Sequence, residues 1–154
     1  MKKLRVYIDT SVIGGCFDIE FAEWSNMLFK EFKAGKKIAV ISEVTLKELD
    51  EAPENVKMKF FSLPIECQEL LNESKEAEFL ARKYIENKAV SIRFIDDALH
   101  IAYSTINNID ILVSWNFKHI VNINRIKMYN SVNISMGYKS IEIRTPREVL
   151  SNED

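Results

Sequence analysis

The chain has 154 residues, of which 47% are hydrophobic and 29% charged, and its formal net charge is −2 at pH 7. This length suits one domain, the composition is typical of a globular protein, and the slightly acidic balance argues against a broad basic surface for duplex DNA. We predict one domain over residues 1–150 and a short polar tail over residues 151–154.

The apolar segments and the cysteines indicate a cytoplasmic protein. The opening "MKKLRVYID" meets charged residues too soon for a signal peptide, and no apolar stretch is long enough to span a membrane. Cys16 and Cys67 lie far apart with no histidine beside them. We therefore expect two buried thiols and neither a zinc site nor a disulfide.

Strands and helices are predicted to alternate along the chain. Four short runs rich in branched residues predict strands at 4–8, 37–41, 110–114 and 140–144. Helical spacing covers 21–36, 42–53, 75–88 and 93–105. Gly35 is expected to end the first helix, Asn72 or Ser74 to cap the third, and "TPREVL" (145–150) to form a capping box. This alternation predicts a three-layer α/β/α fold around a mostly parallel sheet.

The first strand ends in "YIDTSVIGG", which places Asp9, Thr10 and Ser11 at the carboxyl end of the strand. Such ends are where open α/β sheets bind ligands and carry out chemistry, so Asp9 is a candidate site residue. Asp9 is also a good N-cap for a following helix, and both interpretations stay open at this point. We interpret Gly14 and Gly15 as a turn.

Two later segments carry further acids. After the second strand, Ser42 begins a helix, and Thr45 and Glu48 lie on the same face of that helix as Ser42. Glu48 therefore either faces the same crevice or is simply solvated. Glu51 is expected to point outward. At "RFIDDALHIAYST", the helix dipole favours acids in the first turn. We predict that one acid, at about Asp96, caps the helix and that Asp97 points into the crevice.

In the last of these segments, "LVSWNFKHI", the polar residue after the strand is the amide Asn116, whereas the other segments carry acids. The strand ends at Ser114 and is followed by Trp115, and Asn116 either holds a metal-bound water or caps a helix. Trp115 is expected to pack in the core more readily than to stack on a ligand ring. Lys118 and His119 follow directly and form a basic pair.

Together the acids predict a metal site. A parallel sheet brings the ends of its strands to one side, and three neighbouring carboxylates cannot all stay ionised without a counter-charge. A hard divalent cation such as Mg²⁺ or Mn²⁺ supplies that charge through oxygen ligands. Such a site polarises a phosphodiester and activates water, which predicts hydrolysis of a nucleic-acid backbone.

These segments resemble the PIN-domain family, in particular the VapC-like toxin ribonucleases of toxin–antitoxin pairs. "YIDTSVI", "ISEVTLKEL", "DDALHIA" and "LVSWNFKHI" are similar to its four motifs in order, from about residue 4 to residue 147. The third motif selects Asp97 over Asp96. At the fourth, Asn116 stands where an Asp is common, which costs the site one negative charge.

The resemblance implies a metal-dependent endoribonuclease acting on RNA, commonly a homodimer, with an antitoxin protein as partner. It implies Asp9, Glu48 and Asp97 as catalytic residues and metal ligands, with Asn116 (through a water) and Asp96 as further ligands, Thr10, Ser11 and Ser114 as supporting residues, and Lys118 and His119 as RNA contacts. Arg93, Arg125 and Lys127 are additional candidates for RNA contact.

Other phosphate chemistries fit less well. A dehalogenase-type phosphatase needs a second Asp at position 11, which is Ser11, a receiver domain carries its acid pair earlier, and no nucleotide-binding glycine loop occurs. The competing interpretation is a catalytically weak PIN-like module that binds RNA or a protein partner. Asn116 favours that module, whereas the three retained acids favour the nuclease.

Overall fold

The computed structural model describes residues 2–151; Met1 and residues 152–154 of the predicted polar tail lie outside them. The strands are β1 Leu4–Ile8, β2 Lys37–Ile41, β3 Gln68–Leu70, β4 Ile111–Val113 and β5 Ile143–Arg144. The helices are α1 Thr10–Gly15, α2 Ala22–Lys33, α3 Glu43–Asp50, α4 Glu54–Phe61, α5 Lys75–Glu86, α6 Ile95–Ile106, α7 Ile123–Ser135 and α8 Pro146–Val149.

The five strands form one parallel sheet in the order β3-β2-β1-β4-β5. Tyr7 in the central strand lies opposite Val40 on one side and Leu112 on the other. The chain builds outward from β1 to β3 and then crosses to β4, so the strand order reverses between β1 and β4. In open α/β sheets, ligands bind at the carboxyl edge beside such a reversal.

Helices cover both faces of the sheet, which confirms the predicted α/β/α fold. Side chains alternate along each strand, so Val6 and Ile8 pack in one core against α1, α2 and α4, while Tyr7 packs in the other against α5, α6 and α7. A strand buried on both faces reads as a continuous apolar run, as "LRVYI" does. No helix within residues 2–151 is long and apolar enough to cross a membrane.

Most predicted helix boundaries are confirmed. Ser42 caps α3 in a capping box with Thr45, and Ser74 caps α5 by accepting from the Ala77 backbone N–H. Gly35 follows α2 with a φ of +76°, the left-handed conformation that lets glycine end a helix. The box at Thr145 and Glu148 forms as predicted.

Two local predictions are wrong. Gly14 and Gly15 belong to α1 and form no turn between elements. Asp96 is not the cap of α6, because a 3₁₀ turn over Ile92–Phe94 leads directly into the helix and Phe94 takes the N-cap position. Asp96 lies in the first turn, with its carboxylate 3.5 Å from Lys47 Nζ.

The remaining differences concern the strands, whereas the cysteines agree with the prediction. The two later strands are shorter than predicted, and β3 is a three-residue strand whose partly polar sequence gave no strand pattern. Cys16 and Cys67 are buried free thiols, as expected.

Gly14 and Gly15 give a matched pair for testing the packing of α1. A methyl group at Gly15 would lie 2.5 Å from Ser25 Oγ and 2.8 Å from Trp115 Nε1, whereas nothing lies within 4 Å of one at Gly14. We expect Gly15→Ala to lower the free energy of unfolding by about 1–3 kcal/mol through overpacking. Gly14→Ala should raise it by up to about 1 kcal/mol through helix propensity. Urea denaturation of both variants checks this, and equal stabilities would contradict it.

Candidate active site

Asp9 lies at the carboxyl end of β1, beside the end of β4. Ser114 Oγ donates to Asp9 Oδ2 at 2.7 Å, and Ser11 Oγ donates to Asp9 Oδ1 at 2.6 Å. The Val12 backbone N–H also donates to Oδ1, so Asp9 is the N-cap of α1 as well. The side chain therefore joins the ends of two strands and the start of a helix. The capping interpretation of Asp9 is confirmed, and its role as a functional site residue stays a prediction.

Glu48 approaches the same edge from α3. Its Oε1 accepts from Thr10 Oγ1 at 2.7 Å and lies 2.9 Å from His100 Nε2. The side chain is 29% exposed. Glu48 is thus anchored through Oε1 and partly open to solvent, whereas Glu51 points outward as expected.

Sequence reasoning missed His100, which is fully buried behind Glu48. Its Nδ1 lies 2.6 Å from Tyr7 Oη, which in turn lies 2.7 Å from Ser42 Oγ. The signal was its position three residues after Asp97, a spacing that places both on one face of α6. Burial alone would lower the pKa of His100, but Tyr7 and the carboxylates of Glu48 and Asp9 raise it well above its ordinary value.

Asp97 faces the same cluster from the first turn of α6. Its Oδ2 lies 3.1 Å from His119 Nδ1, and 15% of the side chain is exposed. Burial, together with repulsion from Asp9 and Glu48, raises the pKa of Asp97 to about 6 against the attraction of His100. The three acids predicted from separate segments therefore lie close enough for their charges to repel.

The other two carboxylates respond to burial differently. Burial raises the pKa of Asp9, although the His100 charge and the hydroxyls of Ser11 and Ser114 counteract it. Burial also acts to raise the pKa of Glu48, but the hydrogen bonds and charge of His100 and the bond from Thr10 lower it below its usual value. Glu48 is thus the acid most firmly held ionised.

The fourth segment forms a polar turn beside Asp97. Asn116 Oδ1 accepts from the backbone N–H groups of Lys118 and His119 at 3.2 and 3.0 Å, so Asn116 holds this turn together. His119 is buried against the Phe94 ring, at 3.7 Å between centroids. Trp115 stacks on Phe21 and belongs to the core, as predicted. Lys118 is exposed.

The donor set suits a hard divalent cation chemically, because the three carboxylates and the Asn116 amide offer oxygen atoms. Within residues 2–151, however, no three Asp, Glu, His or Cys side chains are already gathered in an arrangement that could hold a metal ion. Binding would require the carboxylates to draw together. Asp96 is directed to Lys47, which leaves its predicted part as a ligand without support.

Comparisons with known proteins bear on the fold. No protein-family model and no curated protein sequence matches the chain. A chain in the crystal structure of VapBC2 from Rickettsia felis bound to a DNA fragment from their promoter is similar, with a TM-score of 0.53 and 18% sequence identity. The match covers 75% of this chain and 90% of that chain. At this identity the likeness shows that the two share a fold.

The raised pKa of Asp97 predicts how pH affects stability. A carboxyl group with a raised pKa binds its proton more tightly in the folded state, so stability falls as the pH rises from about 4 to about 6 and stays lower above that. Without metal at pH 7, we expect Asp97→Asn to raise the free energy of unfolding by about 1–3 kcal/mol. The gain should disappear near pH 4. Thermal denaturation across this pH range measures it.

Asp96→Asn is the matched control, because Asp96 lies in the same helical turn but is paired with Lys47 in solvent. We expect that substitution to change stability by no more than about 0.5 kcal/mol at either pH. A lower melting temperature for Asp97→Asn than for the wild type at pH 7 would mean that Asp97 is needed for folding.

Proposed function

We propose that this protein is a metal-dependent endoribonuclease of the VapC-like PIN type, which hydrolyses phosphodiester bonds in RNA. The observation that carries the proposal is the grouping of Asp9, Glu48 and Asp97 at the carboxyl edge of the sheet, beside the reversal between β1 and β4. Repulsion from Glu48 acts to raise the pKa of Asp9, and repulsion from Asp9 and Glu48 acts to raise that of Asp97, which destabilises the fold unless a cation offsets it. That arrangement serves catalysis better than it serves folding.

In this proposal, Asp9, Glu48 and Asp97 hold Mg²⁺ or Mn²⁺, and Asn116 contributes through a water. The bound ion would lower the pKa of water and polarise the phosphodiester. Ser11 and Ser114 fix the Asp9 carboxylate through hydrogen bonds to both of its oxygens. Thr10 orients Glu48.

His100 holds Glu48 in place from behind. Its ring contacts Glu48 and Tyr7 through opposite nitrogens, so it cannot turn without breaking one of the two contacts. The same ring places a positive charge beside the acids before any metal arrives. His100 therefore acts as a positioning residue and has no contact with solvent or substrate.

Partners follow from the same proposal. One structure similar in fold is that of VapBC2 bound to a DNA fragment from their promoter. The resemblance of the sequence motifs to VapC-like toxins implies an antitoxin partner. We accordingly propose an antitoxin protein as partner, a homodimer as the assembled form and the cytoplasm as the location.

The competing function is a catalytically weak PIN-like module that binds RNA or a protein without cleaving it. Two observations favour it: Asn116 stands where a fourth acid is common, and the carboxylates of residues 2–151 are not already gathered around a cation position. Against it, carboxylates in a cleft repel an anionic backbone, so a module that only binds RNA gains nothing from keeping three.

Cleavage of a mixed-sequence single-stranded RNA tests the proposal. Wild-type protein with Mn²⁺ or Mg²⁺ should cut the RNA, and EDTA should stop the reaction. Asp97→Asn should reduce the rate at least about 100-fold, since removing one group that stabilises charge in a transition state costs about this much. Asp96→Asn should keep the rate within a few-fold of wild type.

Folding is checked on the same samples by circular dichroism. A folded wild-type protein that leaves the RNA intact under every metal condition would rule out the nuclease and favour the binding module. In that case Asn116→Asp, which restores a fourth carboxylate, is the variant that separates a weakened nuclease from a module that only binds.

A further inference from the structure

An open groove of about 670 Å³ lies beside the turn that carries Asn116. Lys88 at the end of α5, Phe117 and Lys118 in the turn, and Arg125 in the first turn of α7 form its walls, together with the amides of Asn122 and Asn124. No acidic side chain among residues 2–151 lines it. We call this surface the basic groove.

The positive charges of the basic groove are not neutralised by acids. Among residues 2–151, neither Lys88 nor Lys118 has a carboxylate within salt-bridge distance. Arg125 donates to the backbone carbonyls of Ala89 and Lys118 at 2.8 and 2.9 Å, which fixes the guanidinium while leaving its charge unpaired. On a chain whose net charge is −2, three such cations on one surface form a local anion-binding region.

The basic groove also presents an aromatic ring. Phe117 is 49% exposed, and its ring lies 6.2 Å between centroids from both Phe21 and Trp115, which support it from within the protein. A supported, exposed ring beside cations is the arrangement that proteins use to stack an unpaired base next to its phosphate. A duplex hides its base faces and could use only the cations.

The basic groove adjoins the carboxylate cluster directly. Phe117 lies in the same turn as Asn116 and His119, and His119 Nδ1 is 3.1 Å from Asp97 Oδ2. A strand whose phosphate lay at the acids would therefore place its neighbouring nucleotide over the basic groove.

We propose that the basic groove binds the single-stranded RNA segment on one side of the scissile phosphate. Lys88, Lys118 and Arg125 contact successive phosphates, and Phe117 stacks on an unpaired base. This inference rests on the proposed function and specifies the substrate as single-stranded RNA and the path that it takes. An acidic polypeptide would match the cations but would leave Phe117 without a stacking partner.

Binding in the absence of metal tests the inference separately from cleavage. A fluorescently labelled 12-nucleotide single-stranded RNA of mixed sequence is titrated with protein in EDTA at several salt concentrations, and the polarisation gives the affinity. The variants are Lys88→Gln/Lys118→Gln and Phe117→Ala. The matched controls are Lys33→Gln/Lys139→Gln, which removes the same charge elsewhere, and Phe79→Ala, which removes a comparably exposed ring.

We expect the Lys88→Gln/Lys118→Gln variant to lower the slope of log affinity against log salt by about 1.4, since each phosphate contact on a single strand contributes about 0.7. Phe117→Ala should weaken binding at least about fivefold, the effect of one lost base stack. The control variants should bind like wild type.

Several results would overturn the inference: no binding of the RNA by wild type, variants that bind like their controls, equal affinity for a duplex of the same sequence, or competition by polyglutamate as effective as by unlabelled RNA. The proposed function fails differently. If wild type binds RNA through the basic groove but never cuts it with Mn²⁺, the inference about the groove is supported and the proposed nuclease function is wrong.

Discussion

The burial of the Asp9 carboxylate is the constraint on which the rest of the site depends. An ionised carboxylate removed from water costs several kcal/mol unless hydrogen bonds and opposite charge replace the lost hydration. Here the hydroxyls of Ser11 and Ser114, the Val12 N–H and the His100 charge provide that replacement. These groups come from α1, from the end of β4 and from α6, so keeping Asp9 buried fixes these three elements relative to β1.

The same constraint explains why the three carboxylates differ in how readily they ionise. His100 stabilises the ionised form of Glu48, while burial and repulsion from Asp9 and Glu48 raise the pKa of Asp97 against the attraction of His100. The protein thus carries one firmly ionised acid, one buried acid and one acid that is half-protonated near pH 6. A cation would complete this set, and a fold selected for stability alone would replace one of the three acids with a neutral residue.

The cations of the basic groove complement the carboxylates of the cluster. In our proposal the acids hold a cation and also repel RNA, so groups beside the cleft attract the strand. Lys88, Lys118 and Arg125, which form no ion pair with the described residues, lie next to the turn that carries Asn116 and separate the attraction for phosphate from the negative cluster. This arrangement accounts for a chain whose overall charge is slightly negative and whose substrate, in our proposal, is an anion.

The sequence by itself determined the α/β class, the strands β1 and β2, the caps of α3, α5 and α8, and the three acids, because each of these depends on local pattern: branched apolar runs, capping residues and polar groups that follow strands. It could not give β3, whose three residues become a strand only by pairing with β2. It also misplaced the cap of α6, because the preceding 3₁₀ turn leads into the helix and Phe94 takes the N-cap position without a side-chain hydrogen bond. Tertiary structure alone decided the role of His100 and the basic groove. Both join residues from distant segments, such as Tyr7 with His100 and Lys88 with Lys118, whose proximity no local pattern encodes.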